Sequence, residues 1–264
     1  MGVNGQPGIG VNVSFTKFLF IVPHQDDGAT LMRVRAAGAT IGRGFFNDFD
    51  ADGMRDVQPQ ETIQFLVADG PVGTREGLGA ARYVVQISAN YRPRLQDMEA
   101  ELRRRINGAA DVIVIDGAER VARYTSAELH NHACKRAMPR MSGRVARNAI
   151  IIPINKTPEW WEKDVLERHV YFYPHHDAAT GYQVKGHARA VEPGITTICR
   201  RLYHNPDGYQ REREYDFITY FECADGHLPV FDQICRALRD ENQNPECRYV
   251  LEGPEWRGRR VLRW

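Results

Sequence analysis

Segments with the period of a β-strand alternate with helix-like segments along the whole chain, and this order restricts the fold more than any other feature. Apolar residues recur at every second position of a strand but every three or four positions of a helix. The strand-like segments of the first half are residues 12–22, 62–68, 82–88 and 111–116. Those of the second half are residues 149–155, 194–203, 216–223 and 247–251. Strands interleaved with helices and hairpins predict an α+β fold and not a doubly wound parallel sheet.

One long helix with an apolar stripe is predicted in each half. The stripe of the first helix, which begins at Pro93, is Leu95, Met98, Leu102 and Ile106. The stripe of the second helix, over residues 228–239, is Leu228, Phe231, Ile234 and Leu238. A further helix is predicted over residues 158–167, with a proline in its first turn. The similar order in both halves predicts two tandem ferredoxin-like units, in which helices flank antiparallel sheets.

The boundary between these units follows from composition. The segment from residue 127 to residue 148 is rich in His, Arg, Pro and Gly, which predicts a linker. Residues 1–126 then form an N-terminal unit, and residues 149–264 form a C-terminal unit. A chain of 264 residues has ample material for a core in each.

Charge and composition exclude several classes of protein. The net charge of +1 gives no electrostatic basis for binding nucleic acid or an anionic membrane. No run of residues is long and apolar enough to span a bilayer. The opening MGVNGQPGIG lacks a secretory signal pattern, so we expect a cytoplasmic protein, or a periplasmic one if a leader was removed. The five cysteines are scattered, which argues against a disulfide framework, a zinc site or an iron–sulfur site.

One strand of the second half carries a charged side chain among apolar ones. In ITTICRRLY, the alternation of side chains puts Ile198, Arg200 and Leu202 on one face. A guanidinium in that position faces either water or an apolar cavity, and in a cavity it requires an anion as partner. The strand therefore predicts a binding site for a small anion. His187 lies upstream in GHARAVEPGI, a short helix and turn that can bring an imidazole to the other side of a flat ligand.

Three segments of the C-terminal half resemble the chlorite dismutase family of haem b proteins. They are IIIPINKTPEWW, a histidine thirteen residues before an arginine that begins RRLYH, and YDFITYFE followed by the helix FDQICRALRD. The N-terminal half is similar only in VNVSFTKFLFIV and VARYTS. The resemblance implies a fold of the dimeric α+β barrel type, a haem b in the C-terminal unit and a ring-shaped homo-oligomer, with a pentamer favoured. It also implies an oxidoreductase that decomposes the small anion chlorite to chloride and dioxygen.

The resemblance further implies roles for individual residues. His187 would be the ligand of the haem iron. Arg200 would be the catalytic residue that holds the anion and stabilises an oxyanion leaving group. The residues that would pack on the haem or contact its propionates are Lys156, Trp160, Trp161 and Tyr124.

Two of these assignments have alternatives. The segment YFYPHHDAATGYQVKG lengthens the connection before His187 relative to the family, so His175 and His176 remain rival ligands or lie in an inserted loop over the pocket. The carboxylate that accepts the other N–H of the proximal histidine aligns without gaps at Gln243, with Glu241 two positions earlier. A glutamine there would give the histidine less imidazolate character, make the iron easier to reduce and disfavour full chlorite dismutase activity.

Other functions fit the same residues. One alternative is a haem enzyme of the same fold that acts on another substrate, as a peroxidase or on N–O compounds. Another is a haem-binding protein without turnover, although such a carrier has no need of the cation of Arg200. Decarboxylation of a porphyrin is disfavoured because the relatives that perform it carry an uncharged residue at that position.

An acidic segment outside the resemblance has the pattern of a calcium-binding loop. Asp48, Asp50, Asp52, Gly53 and Asp56 give DxDxDG, with oxygen ligands two residues apart and a glycine at the turn. A proline stands where the bidentate glutamate of such loops is expected. The segment predicts either a structural Ca²⁺ or an acidic surface loop.

Overall fold

The first half of the chain folds in the order βαββαβ. The computed structural model describes residues 14–25, 27–45, 62–70, 77–119, 136–141 and 143–261. The strands of this half are β1 (Ser14–Pro23), β2 (Thr62–Ala68), β3 (Tyr83–Ala89) and β4 (Ala110–Glu119). Its helices are α1 (Gly28–Phe45) and α2 (Arg92–Ile106), with a 3₁₀ turn over Gly77–Ala80.

The second half repeats this order with a longer first connection. After β5 (Asn148–Lys156), this connection contains α3 (Pro158–Glu162), α4 (Val165–Val170), β6 (His175–His176), β7 (Gln183–Val184), α5 (Gly186–Val191) and a 3₁₀ turn over Glu192–Gly194. The remaining elements are β8 (Ile198–His204), β9 (Phe217–Cys223), a 3₁₀ turn (Asp225–His227), α6 (Leu228–Arg239), a 3₁₀ helix (Pro245–Tyr249), β10 (Val250–Glu252) and β11 (Trp256–Val261).

Eight strands close into an antiparallel barrel. Their order is β5–β11–β2–β3–β1–β4–β8–β9, and β9 pairs with β5 to complete the ring. Each half contributes four adjacent strands in the ferredoxin-like arrangement. The two seams between the halves differ, because β11 and β2 pair over four residues whereas β4 and β8 share the single bridge Ala118–His204. The predicted fold of two tandem ferredoxin-like units is confirmed.

The apolar core has an inner and an outer layer. Inside the barrel, Phe18, Phe20, Tyr220 and Trp256 are fully buried. On the outside, α2 buries its predicted stripe, Leu95, Met98, Leu102 and Ile106, against the first half of the sheet. Helix α6 buries Phe231, Ile234 and Cys235 against the second half, while Leu228 and Leu238 of its predicted stripe are only half-buried.

The barrel interior becomes polar at one end, and the described part of the linker lies against that end. Arg140 donates Nε to Glu222 Oε1 at 2.9 Å and Nη2 to Gln64 Oε1 at 2.8 Å. Arg260 of β11 donates to the carbonyls of Met141 and Ala146. Because buried charges require partners, these contacts hold the described part of the linker against the barrel.

Three predicted segments are divided, shortened or largely replaced in the structure. The helix over residues 158–167 is divided because Asp164 caps α4 in a capping box with Glu167. The strand over 194–203 begins only at Ile198, and much of 247–251 is the 3₁₀ helix. Helix α1 and strand β11 were not predicted at all. Among the described residues, no helix combines the length and apolar character that crossing a membrane requires.

Candidate functional site

The candidate site lies on the helix-facing side of strands β5, β9 and β8. The register aligns Ile150, Phe221 and Arg200 in one row across these strands. Ile198 and Phe221 on this face pack with the buried side of α6. Arg200 is nevertheless exposed, so this face opens to solvent beside the helices. The predicted alternation that places a guanidinium between aliphatic side chains is thus seen in β8.

A buried carboxylate joins two of the predicted residues at the end of β5. Glu246 Oε1 lies 2.6 Å from Lys156 Nζ, and Glu246 Oε2 lies 3.1 Å from His187 Nδ1. The exposed fractions of the side chains of Lys156, Glu246 and His187 are 8%, 16% and 21%. Both carboxylate oxygens therefore hold a nitrogen in a largely dry environment.

The electrostatics keep Glu246 ionised. Burial alone would raise the pKa of its carboxyl group, but the charge of Lys156 and the hydrogen bond and charge of His187 outweigh burial. The pKa of Glu246 is consequently well below its usual range. An ionised carboxylate at Nδ1 fixes the tautomer of a histidine and makes Nε2 the nitrogen that can bind a metal.

Local sequence explains how His187 reaches this carboxylate. The N–H groups of Lys185 and Gly186 both donate to the carbonyl of Gln243, at 3.1 and 3.0 Å. Two residues after Gln243, Pro245 opens the 3₁₀ helix that carries Glu246. The start of α5 and the start of this 3₁₀ helix are therefore held together by backbone hydrogen bonds.

The prediction that Glu241 or Gln243 supports the histidine was wrong. Glu241 pairs with Arg248 at 2.8 Å, and the amide of Gln243 donates to Asp240 at 2.7 Å. The ungapped alignment missed the three further residues of the turn, which move the carboxylate to Glu246. The sequence signal for this carboxylate is the glutamate of NPECRY, which is found when a gap is placed before it in the alignment with the family. The prediction that His187 has less imidazolate character depended on Gln243, so it no longer applies.

Lys156 has a different contact from the one predicted. Its ammonium pairs with Glu246 and also lies 4.1 Å from the centre of the Trp160 ring. A cation over an indole face is stabilised by the ring quadrupole. The charge of Lys156 therefore supports the carboxylate that contacts His187, and its contact with a propionate remains a prediction.

The two predicted tryptophans take different positions. Trp160 is buried, with its ring 5.7 Å from both Tyr171 and Tyr249, so it forms part of the wall around Lys156. Trp161 stacks on Tyr209 at 4.3 Å and on Phe217 at 5.9 Å. Within the described part of the chain, the buried Nε1 of Trp161 has no hydrogen-bond acceptor. A buried indole N–H without an acceptor fits an anionic group such as a haem propionate.

The rival histidines lie in a small hairpin. His175 and His176 form β6, which pairs with Gln183 and Val184 of β7. His175 Nδ1 lies 2.9 Å from the carbonyl of Tyr173, and His176 is exposed. Of the three candidates, His187 is the one whose ring contacts a carboxylate. The structure thus gives His187 the environment of a metal ligand.

Several predicted residues lie outside the described residues. They are Tyr124 and the acidic residues of the calcium-like loop, Asp48, Asp50, Asp52 and Asp56. The propionate contact and the calcium ion remain predictions. The cysteines that the structure describes, Cys199, Cys223, Cys235 and Cys247, are free thiols.

The whole architecture is shared with solved chlorite dismutases. No protein-family model matches the sequence. A mutant chlorite dismutase from Candidatus Nitrospira defluvii is 18% identical, with a TM-score of 0.68 over 94% of this chain and 91% of that one. Chlorite dismutase from the same organism in complex with imidazole is 19% identical, with a TM-score of 0.67 over 95% and 91%. A mutant of it in complex with cyanide is also 19% identical, with a TM-score of 0.67 over 94% and 90%. The chain therefore has the chlorite dismutase fold.

Proposed function

We propose that this protein is a haem b oxidoreductase that decomposes chlorite to chloride and dioxygen. The observation that carries the proposal is the contact of His187 with the ionised Glu246, backed by Lys156. This arrangement is the usual support of a metal-binding histidine. The chlorite dismutase fold supports the assignment, and so does Val191 of α5, which packs with Ile198 on the sheet face of Arg200.

The described residues fit a haem. His187 would bind the iron through Nε2, since Glu246 holds Nδ1. Trp161 would donate its buried indole N–H to a propionate. A bound haem supplies the change in oxidation state that removes an oxygen atom from chlorite. Imidazole and cyanide, found with two of the similar structures, are both good ligands of haem iron as free molecules.

Arg200 would act on the anion. A guanidinium stays charged at all physiological pH values, so Arg200 can hold chlorite and then the hypochlorite formed by loss of an oxygen atom. Its side chain projects from the same face of the sheet as Ile198, which packs under α6. A cation held in a water-excluded site stabilises a developing oxyanion more than water does.

The exposure of Arg200 favours a second candidate function on the same site. An open face around Arg200 admits larger reductants and retains a small oxyanion less well. The alternative is therefore a peroxidase, or an enzyme acting on N–O compounds. A haem-binding protein without turnover is the remaining class, and the cation of Arg200 disfavours it.

Dioxygen release from chlorite, followed with an oxygen electrode on the haem-loaded protein, tests the proposal. We expect release by the wild type and a loss of about 100-fold in Arg200→Ala, the lower end of the cost of removing one oxyanion donor. The matched control is Arg201→Ala, since this neighbour points to the other face and lies 3.6 Å from Glu119. Peroxide-dependent oxidation of a dye without dioxygen release would support the alternative function instead.

Haem titration followed by absorbance tests the ligand. We expect His187→Ala to lose tight binding, whereas His175→Ala retains it because its imidazole contacts a backbone carbonyl. The opposite result would assign the iron to the hairpin.

A further inference from the structure

The segment that precedes the hairpin is bonded directly to the start of α5. The N–H of His187 donates to the carbonyl of Tyr171 at 2.9 Å, and the N–H of Ala188 donates to that of Phe172 at 3.0 Å. The first N–H groups of a helix have no partner within it, so an outside acceptor is required when they are not solvated. Residues 171 and 172 supply these acceptors to the helix that carries His187.

Gly186 allows this close approach. Its φ is +72°, and a Cβ there would lie 2.3 Å from the carbonyl oxygen of Tyr173. No other residue type has both the required backbone conformation and the required space. The backbone of residues 171–173 therefore lies directly against the residue before His187.

The ring of Phe172 lies beside the His187 imidazole and nearly parallel to it. The two ring centres are 6.0 Å apart and the planes differ by 17°. The hydrogen bond that Nδ1 donates to Glu246 fixes this nitrogen but leaves rotation about the line through that bond. A nearly parallel neighbouring ring opposes this rotation.

The hairpin is anchored to the element that carries Glu246. Arg248, two residues after Glu246 in the 3₁₀ helix, donates Nη2 to the buried carboxylate of Asp177 at 3.1 Å. Asp177 also accepts from the backbone and hydroxyl of Thr180. The hairpin and the His187–Glu246 pair therefore form one connected unit.

We propose that Phe172 is a positioning residue that sets the orientation of the His187 ring for iron binding. This inference rests on the proposed haem ligation by His187. The plane of an axial imidazole determines how its π orbitals overlap with the iron, and hence the reduction potential and the magnetic spectrum of the ferric state. Phe172 acts on the iron through His187 and touches neither substrate nor metal.

The test compares Phe172→Leu, which keeps the apolar volume, with Phe172→Tyr, which keeps the flat ring. Tyr182→Leu is the matched control, because this aromatic residue of the neighbouring hairpin is 64% exposed. We expect Phe172→Leu to lower haem affinity about tenfold, the lower end for lost support of a metal ligand. We also expect Phe172→Leu to have a shifted reduction potential and a broadened low-spin electron paramagnetic resonance spectrum. In Phe172→Tyr both should return to those of the wild type.

The haem-free protein separates this inference from the proposed function. NMR relaxation of the His187 ring reports its motion without a metal, and we expect greater motion in Phe172→Leu than in the wild type and Tyr182→Leu. Unchanged ring motion in Phe172→Leu would overturn the positioning role, whether or not haem binds. Failure of the wild type to bind haem, with the expected change in ring motion, would overturn the proposed function alone.

Discussion

The two halves of the barrel each bury a lysine on the helix-facing side of a central strand, and the two lysines have opposite surroundings. Lys17 of β1 lies 2.9 Å from two carboxylates, those of Glu99 and Asp116. Lys156 of β5 shares the single carboxylate of Glu246 with His187. In the first half one ammonium pairs with two carboxylates, whereas in the second half one carboxylate pairs with an ammonium and an imidazole. The first arrangement only satisfies a buried charge, while the second orients an imidazole.

The helices that cover the two halves of the barrel also differ. Helix α1 is one continuous segment, and it buries Val34, Ala37 and Ile41 against the stripe of α2 and the sheet. The corresponding connection of the second half is divided among α3, α4, the hairpin and α5. It leaves Arg200 exposed on a face that α1 and α2 would cover in the first half. The second unit therefore has a polar site and an open face where the first unit has a continuous apolar core.

The largest effect expected from this contrast is in the core. Leu102→Ala removes a fully buried side chain of α2 and should lower the free energy of unfolding by about 4 kcal/mol. Leu202→Ala, on the open face of β8, should cost less than about 1 kcal/mol because Leu202 is only half-buried. Urea unfolding of both variants measures the difference. Equal losses would mean that the face of β8 is packed as tightly as the first half.

The second prediction concerns the shared carboxylate. Lys156→Met leaves Glu246 with one partner and should lower the free energy of unfolding by about 3 kcal/mol. The double variant Lys156→Met with Glu246→Leu should recover most of this loss, since apolar side chains often replace a buried ion pair without cost. A double-mutant cycle from urea unfolding gives the coupling. Additive losses would show that the two residues do not interact.

The third prediction is a dependence on pH. The pKa of Glu246 is depressed in the folded protein from its ordinary value of 4.5, so its stabilisation is complete above that pH and is lost as the pH falls through the depressed value. The difference in unfolding free energy between wild type and Glu246→Gln should therefore shrink steadily below pH 4.5. Denaturant unfolding at a series of pH values checks this. A difference that grows on acidification would contradict the ionised state of Glu246.

The smallest effect is expected at the contact between the halves. Arg92 of α2 pairs with Asp207 after β8 at 2.7 Å, and their side chains are 31% and 42% exposed. Solvent screens such a pair, so Arg92→Ala should cost less than about 1 kcal/mol, and the cost should fall further in 1 M salt. Thermal unfolding at low and high salt measures it. A loss as large as that of Lys156→Met would place the pair among the buried ones.

The sequence predicted the strands well because alternation is a local signal. Residues 62–68 and the helix over 228–239 have the predicted bounds, and the stripe of α2 is buried as expected. Helix α1 was missed because Gly28–Phe45 has four glycines and several arginines, which weaken its apolar period. Strand β11 was missed because Arg257, Arg259 and Arg260 interrupt it, and their partners come from distant segments.

The site was predictable in part, and the limit is physical. His187, Lys156 and Trp160 were named from sequence and do lie around one carboxylate. The identity of that carboxylate depends on the length of the turn before Pro245, which no periodic pattern reports. Contacts across separate segments, such as that of Phe172 with His187, are equally invisible before the chain is folded.

Strand β11 lies between β5 and β2, and this position has a consequence for synthesis. It pairs with both halves at once, over four residues on each side. The first unit can form its own four strands while the ribosome is still translating the second, as domains commonly do. The ring cannot close until residues 256–261 have left the exit tunnel, so the nascent chain must keep the edge of β2 unpaired until then. An edge strand of this kind is a site for wrong pairing, and a nascent-chain chaperone would have its longest opportunity to bind there.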